Sequence, residues 1–360
     1  MIRVGIVDDS PSIRSALREL INRETDMICV GSATDPYAAR EMIKVARPDV
    51  LTLDIEMPRM NGLEFLERLM RLHPMPVLMI SSLTERGSKA ALDALSLGAV
   101  DVISKPNLQS QEAWDQYALH IIERIRVAAH ARIPARKAEA PAAGMGPAAL
   151  GANASNSSRS PAVSGRVLGA QDPVVLIGAS TGGTEALHAL LSKLPANFPP
   201  TLVVQHMPPA FTRHFAERLD QHSALHVREA EHGDVLEWGK VMVAPGHSHL
   251  RMEQRAGQWR CALDQSDKRN HHRPSVDVLY ESALTIAARV HAVLLTGMGR
   301  DGAQAMLSLR ESGAHTVCQS EASCLVFGMP RAAIALGAAS EVMDLDRIPA
   351  YLSSRLRPAA

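Results

Sequence analysis

Val174-Val175-Leu176-Ile177-Gly178-Ala179-Ser180-Thr181-Gly182-Gly183 is an apolar run that empties into small residues around a hydroxyl. Four bulky apolar residues in succession suit a strand covered on both faces, as in a parallel sheet, and the glycines suit a tight turn into the helical stretch 184–191. The same grammar recurs at 202–204 and 292–295, each leading into small or polar residues and then a helix. Upstream, short apolar runs at 2–7, 50–53, 77–80 and 100–104 alternate with helical stretches such as 11–22 and 62–72. Alternation of this kind implies α/β architecture with two doubly wound parallel-sheet domains, the first flavodoxin-like and the second Rossmann-like. Residues 235–252 read as a β-hairpin in the second, with Gly239 and Gly246 as turn residues, and 275–289 as a helical stretch.

A boundary between the two halves is written in the composition. Of the 42 residues at 131–172, 26 are Ala, Pro, Gly or Ser, and no apolar period survives. The expected division is therefore 1–127, a linker at 128–172, and 173–360, as a 360-residue chain would suggest. Lys plus Arg equals Asp plus Glu, 38 against 38; the first half carries 15 basic and 18 acidic residues, the last 188 residues 18 of each. No global field draws the chain to nucleic acid or to an anionic membrane, and no stretch is apolar and long enough to span a bilayer or act as a signal peptide. Four scattered cysteines without a C-x-x-C pair fit a reducing cytoplasm.

In a doubly wound sheet the residues just past the carboxyl ends of the strands share one crevice. In the first half these are Asp8 and Asp9, Asp54, Ser81 and Lys105. Any one of the aspartates alone reads as a helix cap, as Asp9-Ser10-Pro11 does. Together, three carboxylates repel one another unless a cation sits among them, and hard oxygen ligands with open positions suit Mg²⁺. Lys105 and the metal would neutralise a phosphoryl group arriving on Asp54, and the Ser81 hydroxyl would donate to it.

Three readings compete for the Ser180 turn. A dinucleotide loop needs a glycine where Ser180 stands, and an acidic ribose ligand where the second strand ends in Gln205-His206. A bare structural turn needs only the glycines. A nucleophile turn places the hydroxyl at a helix N-terminus, where free N–H groups, that of Thr181 among them, can hold an oxyanion. His206 ends the neighbouring strand on the same sheet edge as a candidate base, and Asp301, in Thr296-Gly297-Met298-Gly299-Arg300-Asp301-Gly302 after a third strand, could orient it. His247-Ser248-His249 and His271-His272 lack the spacing of a zinc site. The polar loop with Arg269, His272 and Arg273 either lines the mouth of the site or is simply solvated.

Two resemblances follow from these motifs. Val7-Asp8-Asp9-Ser10, Leu53-Asp54-Ile55-Glu56-Met57-Pro58, Asn61-Gly62, Ser81-Ser82 and Lys105-Pro106 resemble the receiver domain of bacterial two-component response regulators over about the first 125 residues. This implies phosphorylation of Asp54 by a histidine kinase, with Asp9, Asp54 and the Glu56 backbone carbonyl holding Mg²⁺. Receivers often carry an aromatic switch residue where this chain has Val102. Gly178-Ala179-Ser180-Thr181-Gly182-Gly183, Gln205-His206-Met207, Ala244-Pro245-Gly246, Arg273-Pro274-Ser275-Val276-Asp277, Leu295 to Gly302, and Phe327-Gly328-Met329-Pro330 are similar to the bacterial chemotaxis protein-glutamate methylesterases. That resemblance implies a cytoplasmic enzyme that demethylates glutamyl esters on chemoreceptors, releases methanol and deamidates particular receptor glutamines. It also implies Met298 as a second oxyanion donor, Arg273 near the substrate, and no cofactor for the hydrolysis. A related enzyme serving a pathway other than motility fits the same motifs. A DNA-binding response regulator would need a basic helix-turn-helix region, which 173–360 does not offer. A noncatalytic nucleotide-binding module would use the Ser180 loop for phosphate instead.

Overall fold

The computed structural model describes residues 1–57, 60–81, 85–105, 111–133 and 165–356. The motif residues Pro58, Ser82 and Pro106, and most of the stretch read as a linker, lie outside them. The N-terminal unit runs β1 (Ile2–Val7), α1 (Pro11–Arg23), β2 (Met27–Ala33), α2 (Pro36–Ala46), β3 (Val50–Asp54), α3 (Gly62–Leu72), β4 (Val77–Ser81), α4 (Glu85–Ser96), β5 (Asp101–Ser104) and α5 (Gln111–Ala129). Its helices start where local chemistry satisfies free N–H groups. Ser10 caps α1 with Pro11 behind it, the Asp35 carboxylate accepts from Tyr37 and Ala38 at α2, and Asn61 accepts from Glu64 at α3. The five strands are all parallel in the order β2-β1-β3-β4-β5, the flavodoxin-like winding, so β1, β3, β4 and β5 deliver their ends to one edge.

The C-terminal unit comprises β6 (Val174–Ala179), α6 (Gly183–Leu191), β7 (Thr201–Gln205), α7 (Pro209–Gln221), β8 (His226–Glu229), β9 (Lys240–Val243), β10 (His249–Arg255), β11 (Gln258–Asp264), α8 (Val276–Glu281), β12 (Val290–Leu294), α9 (Ala303–Glu311), β13 (His315–Gln319), α10 (Met329–Ala335), β14 (Glu341–Met343) and α11 (Ile348–Arg355). Seven parallel strands stand in the order β14-β13-β12-β6-β7-β9-β8. The chain winds outward from β6 through β7 to one edge, then returns to the other side of β6 at β12. The winding direction therefore reverses between β6 and β12, and Ser180 and Asp301 follow those two strands.

Three readings of the sequence need correction. The hairpin is β10–β11, pairing His249 with Asp264 through Arg255 with Gln258, whereas Lys240–Val243 is a strand of the main sheet. Its turn is Ala256–Gly257, both at positive φ, and not Gly246. The stretch 275–289 is two short helices, α8 and a 3₁₀ segment Leu284–Arg289. Residues 165–172, inside the stretch read as linker, lie against the C-terminal unit: the Leu168 N–H donates to Leu236, Arg166 covers the Trp238 ring and Leu168 is buried.

The two units share a buried apolar seam. Leu92 and Leu95 on α4 belong to the same cluster as Phe211 and Phe215 on α7. Polar contacts border it: Arg218 donates to the Leu92 carbonyl at 2.7 Å and to Ser96, and the Ser96 hydroxyl donates to Glu185 at 3.1 Å.

Candidate active site

The Ser180 turn is held from several sides by the backbone. The Ser180 N–H donates to the Thr296 carbonyl (3.0 Å), so the turns after β6 and β12 are joined. The Ser180 carbonyl accepts from Gly183 N–H (2.7 Å) and from Gln205 Nε2 (2.9 Å), and the His206 N–H donates to Ala179 (3.0 Å). Thr296 Oγ1 donates to the Thr181 carbonyl at 3.0 Å. Two glycines are required by space. A Cβ on Gly183 would sit 2.2 Å from Gln205 Oε1, and one on Gly297 would sit 2.4 Å from Met329 Sδ and 2.7 Å from Ser180 Cβ.

His206 Nε2 lies 2.9 Å from Asp301 Oδ2, with both side chains buried. Because an ionised carboxylate only accepts, this bond fixes the proton on Nε2 and leaves Nδ1 as a bare lone pair. Nδ1 is buried and has no hydrogen-bond partner. Ser180 and His206 line one cleft of about 440 Å³, but the Ser180 hydroxyl makes no hydrogen bond to His206 among the described residues. A proton acceptor in want of a donor thus shares a cleft with a hydroxyl. The Thr181 and Met298 N–H groups are likewise not taken up by other groups among the described residues.

Asp301 is the most heavily supported side chain of the site. Oδ2 also accepts from Val276 N–H (2.6 Å); Oδ1 accepts from Ser275 Oγ (2.7 Å), Asn270 Nδ2 (2.8 Å) and Asp277 N–H (3.4 Å). Burial alone would raise its pKa, but the hydrogen bonds from His206, Asn270 and Ser275 hold it far below the usual carboxylate range.

The loop 265–274 brings in Asn270, which the sequence reading did not assign, and places His272 and Arg273 at the cleft. The His272 ring stacks on His206 with centroids 3.7 Å apart and planes 11° from parallel. Burial pushes its pKa well below the ordinary imidazole value, so it covers His206 as a neutral ring. Arg273 lines the cleft while its guanidinium donates to the Gln265 (2.8 Å) and Ser266 (3.0 Å) carbonyls. His249, offered above as a zinc candidate only to be set aside, is consumed structurally: Nδ1 accepts from Ser275 N–H and Nε2 faces the Asp267 carbonyl. The sequence pointed to this loop through Arg269, His272 and Arg273, with the mouth of the site as one of its two readings.

At the N-terminal unit's strand edge, Lys105 Nζ donates to Asp54 Oδ2 at 2.8 Å, and Glu56 N–H donates to Asp54 Oδ1 at 3.2 Å. Carboxylate oxygens of Asp8, Asp9 and Asp54 lie within 4.8 Å of one another. Asp8 Oδ2 is buried without a partner, and burial together with Asp54 pushes the Asp8 pKa up to about 6. Burial raises Asp54 as well, against the pull of Lys105. An orphaned buried oxygen among mutually repelling carboxylates is what a hard divalent cation would relieve, so the residues fit Mg²⁺. The Ser81 hydroxyl donates to the Gly87 carbonyl of α4 at 3.2 Å.

The two sites meet at β5. Val102, His120 and Arg124 line the same cleft as Ser180 and His206. Arg124 donates to Thr181 Oγ1 at 2.7 Å and pairs with Asp101, and the Thr181 hydroxyl donates to Asp101 Oδ2 at 2.9 Å. In this arrangement Ser180 is only 2% exposed.

An acid-cluster α/β unit seated over a second α/β unit, with serine, histidine and aspartate at the latter's switch point, is the architecture of a response regulator with an enzymatic output. The chain belongs to the family of receiver-linked CheB methylesterases. The family model for the response regulator receiver domain matches residues 4–113, and that for the CheB methylesterase matches 175–352. A Thiobacillus denitrificans protein named protein-glutamate methylesterase/protein-glutamine glutaminase is 50% identical over 349 residues, spanning 97% of this chain and 95% of that one. One from Burkholderia lata, with the same name numbered 3, is 48% identical over 359 residues, 99% and 96%. The crystal structure of the Thermotoga maritima CheB methylesterase catalytic domain matches with a TM-score of 0.50 at 41% identity, covering 51% of this chain and 98% of that domain. No helix among the described residues is long and apolar enough to cross a membrane.

Proposed function

We propose that this chain is a phosphorylation-activated serine hydrolase that demethylates glutamyl methyl esters on chemoreceptors, releasing methanol, and deamidates particular receptor glutamines. The observation that carries the reading is the buried His206–Asp301 pair, whose bare Nδ1 shares a cleft with the Ser180 hydroxyl. Ser180 Oγ attacks the side-chain carbonyl of the substrate while His206 Nδ1 takes its proton. Asp301 stabilises the imidazolium so formed. The Thr181 and Met298 N–H groups receive the oxyanion, and His206 returns the proton to departing methanol or ammonia. Water then releases the acyl enzyme by the same route. Arg273, at the cleft, is placed to contact the receptor segment that carries the glutamate.

A histidine kinase supplies the phosphoryl group for Asp54. Asp8, Asp9, Asp54 and the Glu56 carbonyl would hold Mg²⁺, which lowers the charge that the phosphoryl group meets, while Lys105 and the Ser81 hydroxyl contact it. For Ser81 this requires the hydroxyl to leave Gly87, a move that would disturb the first turn of α4. A proton on Asp8 competes with the metal. Affinity for Mg²⁺ is expected to rise as pH increases through about 6, where Asp8 ionises, a trend that calorimetric titration between acid and neutral pH would read directly. Affinity independent of pH there would contradict the assignment of Asp8.

Before phosphorylation, the N-terminal unit restrains the hydrolase through β5, α4 and α5. Arg124 and Asp101 grip the residue next to Ser180, and the pair is largely shielded from solvent. Deleting Arg124 leaves Asp101 without its cation beside Thr181 and weakens the cover. Arg124→Ala is therefore expected to raise basal ester hydrolysis by the unphosphorylated protein about five-fold or more, the range of ordinary allosteric coupling. Basal activity equal to wild type would remove Arg124 from the restraint. The reading as a whole is tested by incubating the protein with methyl-labelled chemoreceptor membranes, with and without phosphodonor, and measuring released methanol.

A further inference from the structure

A second buried carboxylate lies behind the site with no role yet assigned. Asp277 is 4% exposed. Its Oδ1 accepts from Ala305 N–H (3.0 Å) at the start of α9, and its Oδ2 accepts from Asn270 Nδ2 (2.6 Å). The same Asn270 nitrogen donates to Asp301 Oδ1 at 2.8 Å. An amide nitrogen carries two hydrogens, so Asn270 gives one to each carboxylate and none is left over. Two carboxylates in a dry interior repel each other, and burial, then the charge of Asp301, raise the pKa of Asp277. The amide is the shared donor that lets them stand side by side.

Asn270 also fixes the loop. Arg269 and His272 exchange both backbone hydrogen bonds (3.0 and 2.8 Å), and the two residues between them, Asn270 and His271, have φ of 52° and 66°. Asparagine is among the few side chains that occupy the left-handed region at low cost. The far end of this two-residue turn is His272, stacked on His206. One short turn thus clamps Asp301 from behind and covers its partner imidazole from the front.

We propose that Asn270 is a positioning residue for the hydrolase: by bridging Asp277 and Asp301 it holds the Asp301 carboxylate where it accepts the hydrogen bond from His206 Nε2–H, and so keeps Nδ1 as the bare nitrogen. The proposal rests on the Ser180, His206 and Asp301 reading above. The charged and titratable groups around the pair are Asp277, with Glu281 beyond it, and His272, which from the N-terminal unit faces Arg124 and His120.

Two substitutions separate the amide from the turn. Asn270→Gly keeps a residue that tolerates positive φ and removes only the donor. Asn270→Asp keeps the size but sets a third carboxylate against two. In the full-length protein with saturating phosphodonor and methyl-labelled receptor, Asn270→Gly is expected to lower kcat about tenfold or more with KM within about twofold, since loss of alignment acts on the chemical step. Asn270→Asp should lower kcat further and move the acid limb of the kcat/KM profile to higher pH, because added negative charge favours the protonated imidazole. A readout independent of turnover is the downfield proton resonance of the His206 Nε2–H···Asp301 bond, expected to move in both variants. An unchanged kcat and resonance in Asn270→Gly would overturn the proposal. So would a kcat loss matched by loss of folded protein with the resonance unmoved. Resonance shifts alongside a wild type that releases no methanol would instead sink the esterase reading and leave the clamp standing.

Discussion

Ser180→Ala is expected to lower kcat for ester hydrolysis by about ten thousand-fold to a million-fold, the range in which loss of a serine nucleophile falls when its base and oxyanion donors remain. The Thr181 and Met298 N–H groups and the His206–Asp301 pair do not depend on the hydroxyl, so the residual rate comes from them alone. Folding should hardly respond. The Ser180 turn is held by backbone groups and by Gln205, and the hydroxyl has no partner among the described residues whose loss would leave a buried polar atom unsatisfied. A stability change of about 1 kcal/mol or less is the expectation. Methanol release from labelled receptor, with a thermal unfolding midpoint measured on the same sample, checks both halves. Retained hydrolysis would remove Ser180 from the mechanism.

Asp54→Asn should abolish the response to phosphodonor while leaving basal hydrolysis within about twofold, since Asp54 does not line the cleft that holds Ser180. In the wild type the same phosphodonor should raise the rate at least about five-fold, the lower end of ordinary coupling. The physical route is short. Asp54 is bonded to Lys105 at the end of β5, and the Lys105 N–H donates to the Ser81 carbonyl at 2.7 Å on β4. β5 begins at Asp101, the residue that holds Thr181, and Val102 beside it faces the cleft. A valine at the usual aromatic switch position therefore lies in the contact itself. A phosphoryl group that draws Lys105 and Ser81 toward Asp54 would shift β5 and the first turn of α4 together, and α4 carries Leu92 and Ser96 of the seam. A variant that still responded to phosphodonor would place the control elsewhere.

The winding and the strand-end side chains were legible in the sequence because central parallel strands are buried on both faces and read as unbroken apolar runs. Of the strands that escaped, β2, β8 and β14 are three of the four edge strands of the two main sheets and β13 lies next to an edge; the fourth edge strand, β5, is read from its apolar run. His226–Glu229 has only one buried residue in four, so no apolar run marks it. The hairpin was misplaced for a different reason. Its turn puts an alanine, Ala256, at a φ of 49°, whereas Gly246 marks a different turn, closed by the Ser248 N–H on the Pro245 carbonyl, that carries the chain from β9 into β10. Ser180, His206 and Asp301 could be found from topology alone, since each follows a neighbouring strand. His272 is legible only as part of a polar loop that either lines the mouth of the site or is solvated, and Asn270 was not found, because its placement depends on a turn with two successive left-handed residues inside that loop.

The central claim, that the Asp54 unit governs hydrolysis at Ser180, is met most directly by methanol release from methyl-labelled receptors with and without phosphodonor, comparing wild type, Asp54→Asn and Ser180→Ala in parallel. The expected pattern is stimulation in wild type, an unstimulated basal rate in Asp54→Asn, and no release above background from Ser180→Ala under either condition. Equal rates with and without phosphodonor in a wild type that hydrolyses the ester would contradict it.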